Sequence, residues 1–488
     1  MRKIIISLIF GCFIQIQNAY LQESFELIYS DDGNDFADWT IELDNNTYLT
    51  MGFTFPSSVE MGYPILLKYS DSINYESVIF PKQDTAYGFS HGIKKENGDL
   101  IFIGRLFNTT ITDKANTIYL CGMTPDFEIQ WEKYYPIPEG NYYLVGGDFL
   151  VDEDDNIVLS AGLKVFPYST TYLYLAKFNM EGELLSENFL PDYQVSMYND
   201  IITKPNGDGY ILIGDIIQNY APGDHLELNS DLSISTPWIS DPLLGGEDEW
   251  LSPPITAKRL SNGNLMFVNR GGIGDQDAEL EFMLCNPDYT ILRDTLIFDP
   301  YIDYTPVRQG MDFIYEDLIW TATFNMYLQP ISYDKIFRVY VYDSEMNMIG
   351  MKTYGGDGQW WFEHLLATSD GGCIITGGER EVGSNMWDLS IFKIVPDDIF
   401  TAAEDTPMEN DRDVALYPNP VQDYLHIETA RKNLNIRIMD NLGRIVHQQK
   451  IRSLPHDKAN LNTLTKGVYF YQILDDHRVI QNGKLMKQ

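Results

Sequence analysis

Alternating apolar and polar residues recur along most of the chain in segments of one design. Each segment has an alternating apolar run, a tight turn of Asn, Asp or Gly, and a second apolar run that ends in a small residue. Alternation with a period of two predicts β-strands, and the turn residues predict hairpins. The segments are 40–52, 91–104, 148–162, 199–214, 255–269, 309–323 and 363–377. Their closing residues are 52, 58, 52, 55, 54 and 54 positions apart, a regular period that predicts repeated blades.

A third apolar run follows the hairpin in every segment, and a turn leads from it towards a fourth strand. The third runs are 66–69, 119–121, 174–178, 225–228, 282–285, 338–342 and 389–394. Four antiparallel strands repeated seven times predict an all-β fold, a seven-bladed β-propeller. The last segment has no convincing fourth strand, whereas residues 25–29 match the outer strand of the sixth segment. We therefore expect residues 24–29 to complete the seventh blade and close the ring.

The N-terminal residues follow the order of a secretory signal peptide. Arg2 and Lys3 precede an apolar run from Ile4 to Ile14, and a polar stretch ends at Ala19. This order predicts a signal peptide over residues 1–19. The run is shorter than the roughly 20 residues of a transmembrane helix, and no later segment is long and apolar enough to span a bilayer. The mature protein is therefore expected to have no transmembrane segment.

The C-terminal region contains four short motifs. They are Tyr417-Pro418-Asn419-Pro420, then Asp440-Asn441-Leu442-Gly443-Arg444, then Lys466-Gly467-Val468-Tyr469-Phe470, and finally Lys484-Leu485-Met486-Lys487. Together they resemble the type A C-terminal sorting domain of the type IX secretion system of Bacteroidetes. Strand-like alternation in residues 425–428 and 436–439 predicts a β-sandwich here without the resemblance.

The resemblance implies how this C-terminal region is used. Such a domain is a small Ig-like β-sandwich that docks with the outer-membrane export machinery. A sortase-like protease then removes it and in some cases joins the cargo to surface lipopolysaccharide. By this resemblance Tyr417 to Pro420 open the first strand, Gly443 and Gly467 lie at turns, and Lys484 to Lys487 form the terminal signal. The expected location is the outer-membrane surface or the extracellular space, reached through the periplasm.

Charge divides the mature chain into two unlike parts. Residues 415–488 carry 11 Lys and Arg against 6 Asp and Glu, whereas residues 20–414 carry 21 against 65. The body is thus net −44 and the tail net +5. Such an acidic body repels nucleic acid phosphates and anionic membranes, so neither is expected as a partner. The carboxylates serve solubility outside the cell, or some of them bind divalent cations, and calcium is the candidate ion.

These observations predict four parts of the chain. They are a signal peptide (1–19), a seven-bladed propeller (20–398), an acidic linker (399–413) and a sorting β-sandwich (414–488). Residues 401–413 are polar, acidic and without periodicity, which is typical of a flexible linker. Cys121, Cys285 and Cys373 each lie in an apolar run of a different blade, so we expect buried free thiols.

Aromatic residues suggest where a ligand could bind. In a propeller, the loops between second and third strands and the links between blades share one face, and here these loops are longer than those of the other face. We predict that Trp238, Trp250, Tyr301, Tyr304 and Trp360 bind a ligand there, because aromatic faces stack on sugar rings. The alternative is packing between blades, which we favour for Trp361 and for Trp39.

No catalytic constellation stands out from this composition. His91, His225 and His364 lack the spacing of a zinc site, and His91 and His364 hold similar positions in two repeats, which favours a structural role. The segment 152–156 has the composition of a calcium loop without the EF-hand pattern, so we interpret it as a solvated turn. No cofactor is identified.

Three functional classes stay open. The favoured one is a secreted or surface protein that binds an extracellular glycan or protein. The alternative is a secreted polysaccharide hydrolase or lyase that uses loop carboxylates, and the third is a structural role in a surface layer. Binding is favoured because no acid, base, nucleophile or metal cluster exceeds the background of an acidic protein.

Overall fold

A computed structural model of the chain describes residues 24–30, 33–44, 46–56, 62–79, 86–107, 117–137, 142–165, 170–218, 221–235, 254–271, 279–297, 304–325, 334–400, 414–417, 421–422, 424–429, 432, 434–439, 445–451, 456–475 and 478–487. The predicted signal peptide and residues 401–413 lie outside these ranges. No helix within them has the length and apolar character that crossing a membrane requires.

The larger part of the described chain consists of short antiparallel strands. They are β1 (Phe25–Tyr29), β2 (Gly33–Asp44), β3 (Thr47–Pro56), β4 (Tyr63–Tyr69), β5 (Tyr75–Ile79), β6 (Ala86–Lys94), β7 (Leu100–Phe107), β8 (Thr117–Met123), β9 (Ile129–Pro136), β10 (Tyr142–Val151), β11 (Asn156–Val165), β12 (Thr171–Asn179), β13 (Leu184–Thr203), β14 (Gly209–Gln218), β15 (Ala221–Asn229), β16 (Pro254–Arg259), β17 (Leu265–Gly271), β18 (Glu279–Cys285), β19 (Ile291–Ile297), β20 (Tyr304–Asp312), β21 (Ile319–Asn325), β22 (Asp334–Tyr342), β23 (Met348–Asp357), β24 (Gln359–Ala367), β25 (Cys373–Arg380) and β26 (Asp388–Ile394). A short helix, α1 (Pro396–Phe400), follows.

These strands form the sheets of a β-propeller. Four-stranded sheets are built by β2 to β5, β6 to β9, β16 to β19 and β20 to β23, with neighbours in sequence paired in space. The predicted all-β propeller fold is confirmed. One difference is that β10 to β15 form a single six-stranded sheet, because β13 pairs through its first half with β12 and through its second half with β14. The third and fourth predicted repeats therefore share a strand, and we number the blades with this sheet counted as two.

The ring closes as expected from the sequence. Strand β1 pairs with β26 from Phe25 opposite Lys393 to Tyr29 opposite Leu389, and the sheet order is β1-β26-β25-β24. The side chain of Leu27 is buried in the junction between this sheet and the next. The N-terminal strand is thus the outer strand of the seventh blade.

Buried apolar side chains fill the junctions between neighbouring blades. Within the described residues, each junction has its own cluster, and members come from both blades that meet there. Cys121, Cys285 and Cys373 lie in three different clusters as free, buried thiols, which confirms the prediction. Residue Ile399 of α1 also packs into one of them, so folded structure continues past the boundary expected at residue 398.

Two junctions contain a buried lysine in the same arrangement. The Lys177 ammonium is 2.8 Å from Asp152 Oδ2 and donates to the hydroxyl of Tyr210 in the next blade. The Lys393 ammonium is 2.9 Å from Asp370 Oδ1, and its ion pair likewise lies beside a tyrosine of the next blade, Tyr48. Because the arrangement recurs, we assign it to holding blades together. It also explains the acidic segment 152–156, whose Asp152 is an ion-pair partner.

The turns that follow the third strands place residues in the left-handed region of φ. Positive φ occurs at Phe127 (62°), Leu232 (69°), Tyr289 (66°) and Met346 (60°), where glycine is the usual residue. Leu232 and Met346 are fully buried against the neighbouring blade. The burial of each side chain, about 2 kcal/mol, offsets the roughly 1–2 kcal/mol that the left-handed backbone costs.

Every inner strand departs from regular pairing opposite the residue that closes its repeat. In β2 the register shifts between Ala37 and Trp39, and Ala37 lies opposite Gly52. In β24 it shifts between Phe362 and His364, and Phe362 lies opposite Gly377. The other inner strands also shift register near this point, by one residue in β6, β10 and β16 and over several residues in β13 and β20. Bulges of this kind redirect the side chains that follow them.

The C-terminal region forms two small sheets. Its strands are β27 (Val414–Tyr417), β28 (Tyr424–Thr429), β29 (Leu434–Met439), β30 (Ile445–Lys450), β31 (His456–Asn460), β32 (Gly467–Asp475) and β33 (Arg478–Lys487). One sheet has the order β27-β28-β31 and the other β30-β29-β32-β33, with one shared apolar core. The predicted β-sandwich is confirmed.

The motif residues of the tail fall on these strands where the structure describes them. Tyr417 ends β27, and Gly467 begins β32 directly after a turn. Lys484 and Lys487 lie on β33, with Lys487 opposite Gly467. The positions of Pro418, Asn419, Pro420 and Gly443 lie outside the described residues.

Candidate functional site

The aromatic residues predicted to bind a ligand are only partly described. Trp238, Trp250 and Tyr301 lie outside the described residues, and Tyr304 is described as the first residue of β20 without its side chain. Trp360 is buried, with 6 % of its surface exposed, and its indole N–H donates to Glu379 Oε2 at 3.0 Å. It packs in the core between the sixth and seventh blades, which is a stabilising role.

Polar side chains from opposite sides of the ring meet at the level of the bulges. Gln309 of the sixth blade donates from Nε2 to Asp148 Oδ1 of the third, so these two inner strands are joined across the axis. The ring of Trp39 from the first blade lies 5.3 Å from that of Phe149 in the third. Contact between blades that are not neighbours places this cluster on the propeller axis. We call it the axial cluster, and its members are Trp39, His91, Asp148, Phe149, Asp200, Lys258, Gln309, Asp312 and His364.

The bulges explain why these residues converge. Trp39, His91 and His364 are each the first paired residue after the register shift of their inner strand. Asp148 and Asp200 come immediately after the corresponding first paired residue. A bulge adds one residue, so the side chain that follows it turns away from the regular alternation. The irregularity of each inner strand therefore lies within two residues of a polar or aromatic member of the axial cluster.

Several members of the axial cluster bind the backbone of the next blade. The carboxylate of Asp148 accepts from the N–H of Ile201 at 3.2 Å, and Asp200 accepts from the N–H of Ala257 at 2.8 Å. Further along the ring, Asp312 accepts from the N–H of Ala367 at 2.9 Å and His364 Nδ1 from that of Thr40 at 3.2 Å. These hydrogen bonds link four pairs of adjacent blades by one rule: the side chain of one blade accepts from the backbone of the next.

Asp148 is the strongest electrostatic feature of this cluster. Burial raises its pKa well above the ordinary value, and the neighbouring carboxyl of Asp200 raises it further by charge and hydrogen bonding. A protonated Asp148 can donate to Asp200, which makes the two a carboxyl pair that shares a proton. Only 3 % of Asp148 and 5 % of Asp200 is exposed. Both carboxyls are thus buried inside the ring.

Two histidines complete the buried part. The ring of His364 stacks on Trp39 at a centroid distance of 3.7 Å, and His91 lies 4.9 Å from the same indole. Burial lowers the pKa of His364 well below its ordinary value, and the charges of Lys258 and His91 lower it further. This agrees with the Nδ1 atom of a neutral imidazole accepting from Thr40.

Lys258 and Asp312 are the accessible part of the axial cluster. Their charged groups are 3.4 Å apart, and 38 % and 24 % of their side chains are exposed. Burial alone would lower the pKa of Lys258, but Asp312, Asp200 and Asp148 outweigh it and raise that pKa above its ordinary value. Both residues lie between the bulges and the turns that join inner to second strands. A ligand entering the axis from that face would therefore meet an ammonium and a carboxylate side by side.

The cluster contains His and Asp side chains, but the described residues do not arrange them as a metal centre. Among the residues that the structure describes, no group of three or more His, Cys, Asp or Glu is arranged to hold a metal ion. Calcium binding therefore stays a prediction from composition. Chemically, the cluster offers a carboxyl with a raised pKa, two imidazoles and the partly accessible ion pair of Lys258 and Asp312.

Sequence reasoning identified some of these residues but not their role. The sequence places His91 and His364 at similar positions in two repeats and favours packing between blades for Trp39. Asp148, Asp200, Lys258 and Gln309 were not singled out, because single carboxylates and amides carry no signal in a chain with 71 acidic residues. The signal that identifies them is their position in the repeat, because a polar residue follows the bulge in most repeats.

We expect Asp148→Asn to stabilise the protein at neutral pH. The folded protein keeps a proton on Asp148 at pH values where the unfolded chain, with a pKa of about 4, has lost it. Stability from this group therefore falls as pH rises above about 4, by up to about 1.4 kcal/mol per pH unit. Asparagine cannot ionise and keeps one acceptor and one donor, and the Gln309 amide can turn over to match.

The measurement is urea unfolding of both proteins from pH 4 to 8. The unfolding free energy of Asp148→Asn minus that of the wild type should increase with pH. Taking this difference also cancels the opposite pH dependence of His364, whose lowered pKa makes stability rise with pH up to about 6.5. A difference that is constant over the range would contradict a protonated Asp148.

Comparison with protein families identifies the tail. Residues 415–488 match the family model described as "Secretion system C-terminal sorting domain". This confirms a type IX sorting tail, and it means that the protein is exported to the cell surface or the extracellular space. No curated protein matches the chain in sequence.

Solved structures resemble the chain in fold. A polysaccharide lyase named Uly1 has a TM-score of 0.48 and 9 % identity, with 76 % of this chain and 98 % of that chain covered. An α-L-arabinofuranosidase of Fusarium graminearum has a TM-score of 0.38 and 12 % identity, with 63 % and 92 % covered. The β-propeller domain of the Trilobed protease from Pyrococcus furiosus has a TM-score of 0.39 and 9 % identity, with 74 % and 94 % covered. At these identities the likeness concerns the fold and not the activity.

Proposed function

We propose that this protein is a seven-bladed propeller of a member of the Bacteroidetes that binds an extracellular glycan or protein, with glycan favoured. A signal peptide over residues 1–19 would direct it to the periplasm. The sorting domain would then dock with the type IX export machinery, and a sortase-like protease would remove it. The working part is the propeller, residues 20–398, released or anchored at the surface.

The observation that carries the proposal is the division of the axial cluster into a fixed and an accessible part. The buried carboxylates of Asp148 and Asp200 are occupied by backbone N–H groups of the next blade. Lys258 and Asp312 remain accessible at the axis and are fixed relative to each other. Rigid, pre-organised polar groups favour binding, because little entropy is lost when a ligand arrives.

The chemistry of Lys258 and Asp312 favours a polyhydroxylated ligand. An ammonium donates hydrogen bonds and a carboxylate accepts them, and a sugar carries both acceptors and donors on adjacent carbons. A strongly anionic polymer would be repelled by the acidic body. Neutral glycans therefore fit the accessible pair better than nucleic acids or anionic lipids.

The test is retention of the full chain on immobilised polysaccharides, with Lys258→Met as the variant. We expect the wild type to be retained on at least one neutral polysaccharide and Lys258→Met to bind it about tenfold more weakly, the effect of losing one charged hydrogen bond. Lys133→Met is the matched control, because Lys133 of the outer strand β9 forms an ion pair with the exposed Glu183, away from the axis. Equal retention of all three proteins would refute binding at the axis.

A second candidate is a polysaccharide hydrolase or lyase, and one observation favours it. The raised pKa of Asp148 lets that carboxyl keep its proton above the ordinary range of carboxyl groups, and it lies close to the imidazole of His91, whose Nε2 is 4.0 Å from Asp148 Oδ1. An enzyme would release new reducing ends or unsaturated products from the polysaccharides that it binds, and Asp148→Asn would abolish this release while leaving retention intact. Retention without release supports binding alone.

A further inference from the structure

A second polar depression lies away from the axis, between the fourth and fifth blades. It has a volume of about 380 Å³ and opens on the face that carries the turns between inner and second strands. Its polar lining includes Lys204, Asp208, Glu227, Ser235 and Tyr289. We call it the blade groove. None of the residues singled out from the sequence lines it.

Lys204 lies at the base of the blade groove and makes one short hydrogen bond and two longer ion pairs. Its side chain is 10 % exposed. The ammonium donates to Ser235 Oγ at 2.8 Å, whereas Glu227 Oε2 and Asp208 Oδ1 are farther away, at 3.4 and 3.9 Å. An ammonium has three N–H donors, so a close acceptor is present for one of them. A buried donor of this kind favours a ligand that brings an oxygen acceptor.

The walls of the blade groove are held rigid from both blades. Arg259 of the fifth blade donates to the carbonyl oxygens of Lys204 and Pro205, each at 2.9 Å. The Tyr289 hydroxyl, also from the fifth blade, donates to Glu227 Oε1 at 3.1 Å. The turn and the carboxylate that face the groove are therefore fixed before a ligand arrives, which lowers the entropy lost on binding.

The rest of the lining consists of the amides Asn206 and Asn229 and an apolar part. Pro205 and Pro287 contribute ring carbons, and the ring of Tyr289 packs 4.8 Å from the imidazole of His225. Gly263 lies beside the two prolines, and a Cβ added there would be 3.4 Å from Pro287 and 3.9 Å from Pro205. This lining is complementary to a pyranose: the apolar rings can pack on its C–H faces, and the fixed polar groups can bind the hydroxyls at its rim.

We propose that the blade groove binds one residue of a neutral glycan, with Lys204 donating to one ring hydroxyl and Glu227 or Asp208 accepting from its neighbour. A divalent cation is unsuitable, because the Lys204 ammonium already stands between the two carboxylates. A uronate or sulfated sugar is unsuitable too, because Glu227 and Asp208 leave the groove net negative. The proposal rests on the proposed function and adds a second subsite of defined chemistry to it.

The test uses the full chain and two variants that affect the groove differently. Lys204→Met removes the donor, and Asp208→Ala removes an acceptor whose side chain is 65 % exposed, so the second variant should fold even if the first does not. Lys95→Met is the matched control, because Lys95 holds the same turn position in the second blade. The probes are cello-, laminari-, xylo- and malto-oligosaccharides and, as the charged comparison, polygalacturonate.

We expect calorimetry to detect binding of at least one neutral oligosaccharide. Lys204→Met and Asp208→Ala should each weaken it about tenfold, the effect of one charged hydrogen bond, and Lys95→Met should leave it unchanged. Equal affinity of the wild type and all variants would overturn binding in the blade groove while leaving glycan binding elsewhere intact. Binding of polygalacturonate alone would overturn the neutral specificity. No binding of any probe by the wild type would overturn both this proposal and glycan binding.

Discussion

Removal of residues 24–29 is expected to unfold the propeller or to lower its free energy of unfolding by on the order of 5 kcal/mol. The deletion takes away strand β1, which pairs with β26 along five residues, and leaves an open sheet edge. It also removes Leu27, which is 1 % exposed, from the junction between the seventh and first blades. Because whole domains are stable by only about 5–15 kcal/mol, a loss of this size is comparable to the total.

Two point variants distinguish the contribution of side-chain packing in β1 to stability from that of its backbone pairing. Leu27→Ala should cost about 2–5 kcal/mol, since it creates a cavity in a buried cluster. Ile28→Ala, one residue further, should cost less than about 1 kcal/mol, because Ile28 is 46 % exposed and keeps the same backbone pairing. The measurement is urea unfolding followed by intrinsic fluorescence. Equal midpoints for the deletion and the wild type would mean that β1 does not close the ring in solution.

Gly377→Ala is expected to destabilise the protein by about 3 kcal/mol. A Cβ at this position would overlap the carbonyl oxygen of Trp361 and lie 2.7 Å from Phe362 Cα. These are backbone atoms of the inner strand β24 at its bulge, so no side-chain rotation relieves the clash. The strands would have to separate, and the bulge that directs His364 towards the axis would be distorted.

Gly383→Ala is the control for this substitution. No atom lies within 4 Å of a Cβ added to Gly383, whose φ is +84°, so alanine there costs only the left-handed backbone strain of about 1–2 kcal/mol. Thermal unfolding should therefore place Gly377→Ala below Gly383→Ala. The reverse order would refute the close approach of β24 and β25 at the bulge.

Features encoded within a few residues could be predicted from the sequence. The turn residues and the alternation around positions such as Asn97 and Gly98 specify hairpins locally, and their repetition specifies blades. The role of β1 in completing the seventh blade is predictable because residues 25–29 are similar to 351–354. The small residue that ends each repeat was recognised as well, and the clash at Gly377 gives its physical reason.

Features that depend on distant residues could not be predicted. Gln309 and Asp148 are 161 positions apart, and neither belongs to a recognisable motif. The continuity of β13 through two blades also lacks a local signal. The blade groove depends on Arg259 and Tyr289 of one blade fixing groups of another, a relation that no periodicity records.

The pairing of β1 with β26 has a consequence for how the protein is made. Phe25 is opposite Lys393, 368 positions away, so the first strand to be synthesised finds its partner only after the entire propeller has followed it. The other blades are assembled from strands that are neighbours in sequence, so they can fold one after another as the chain emerges. Pairing β1 with β26 instead costs the closure entropy of the longest loop in the propeller. Ring closure is therefore expected to be the last and slowest step of folding.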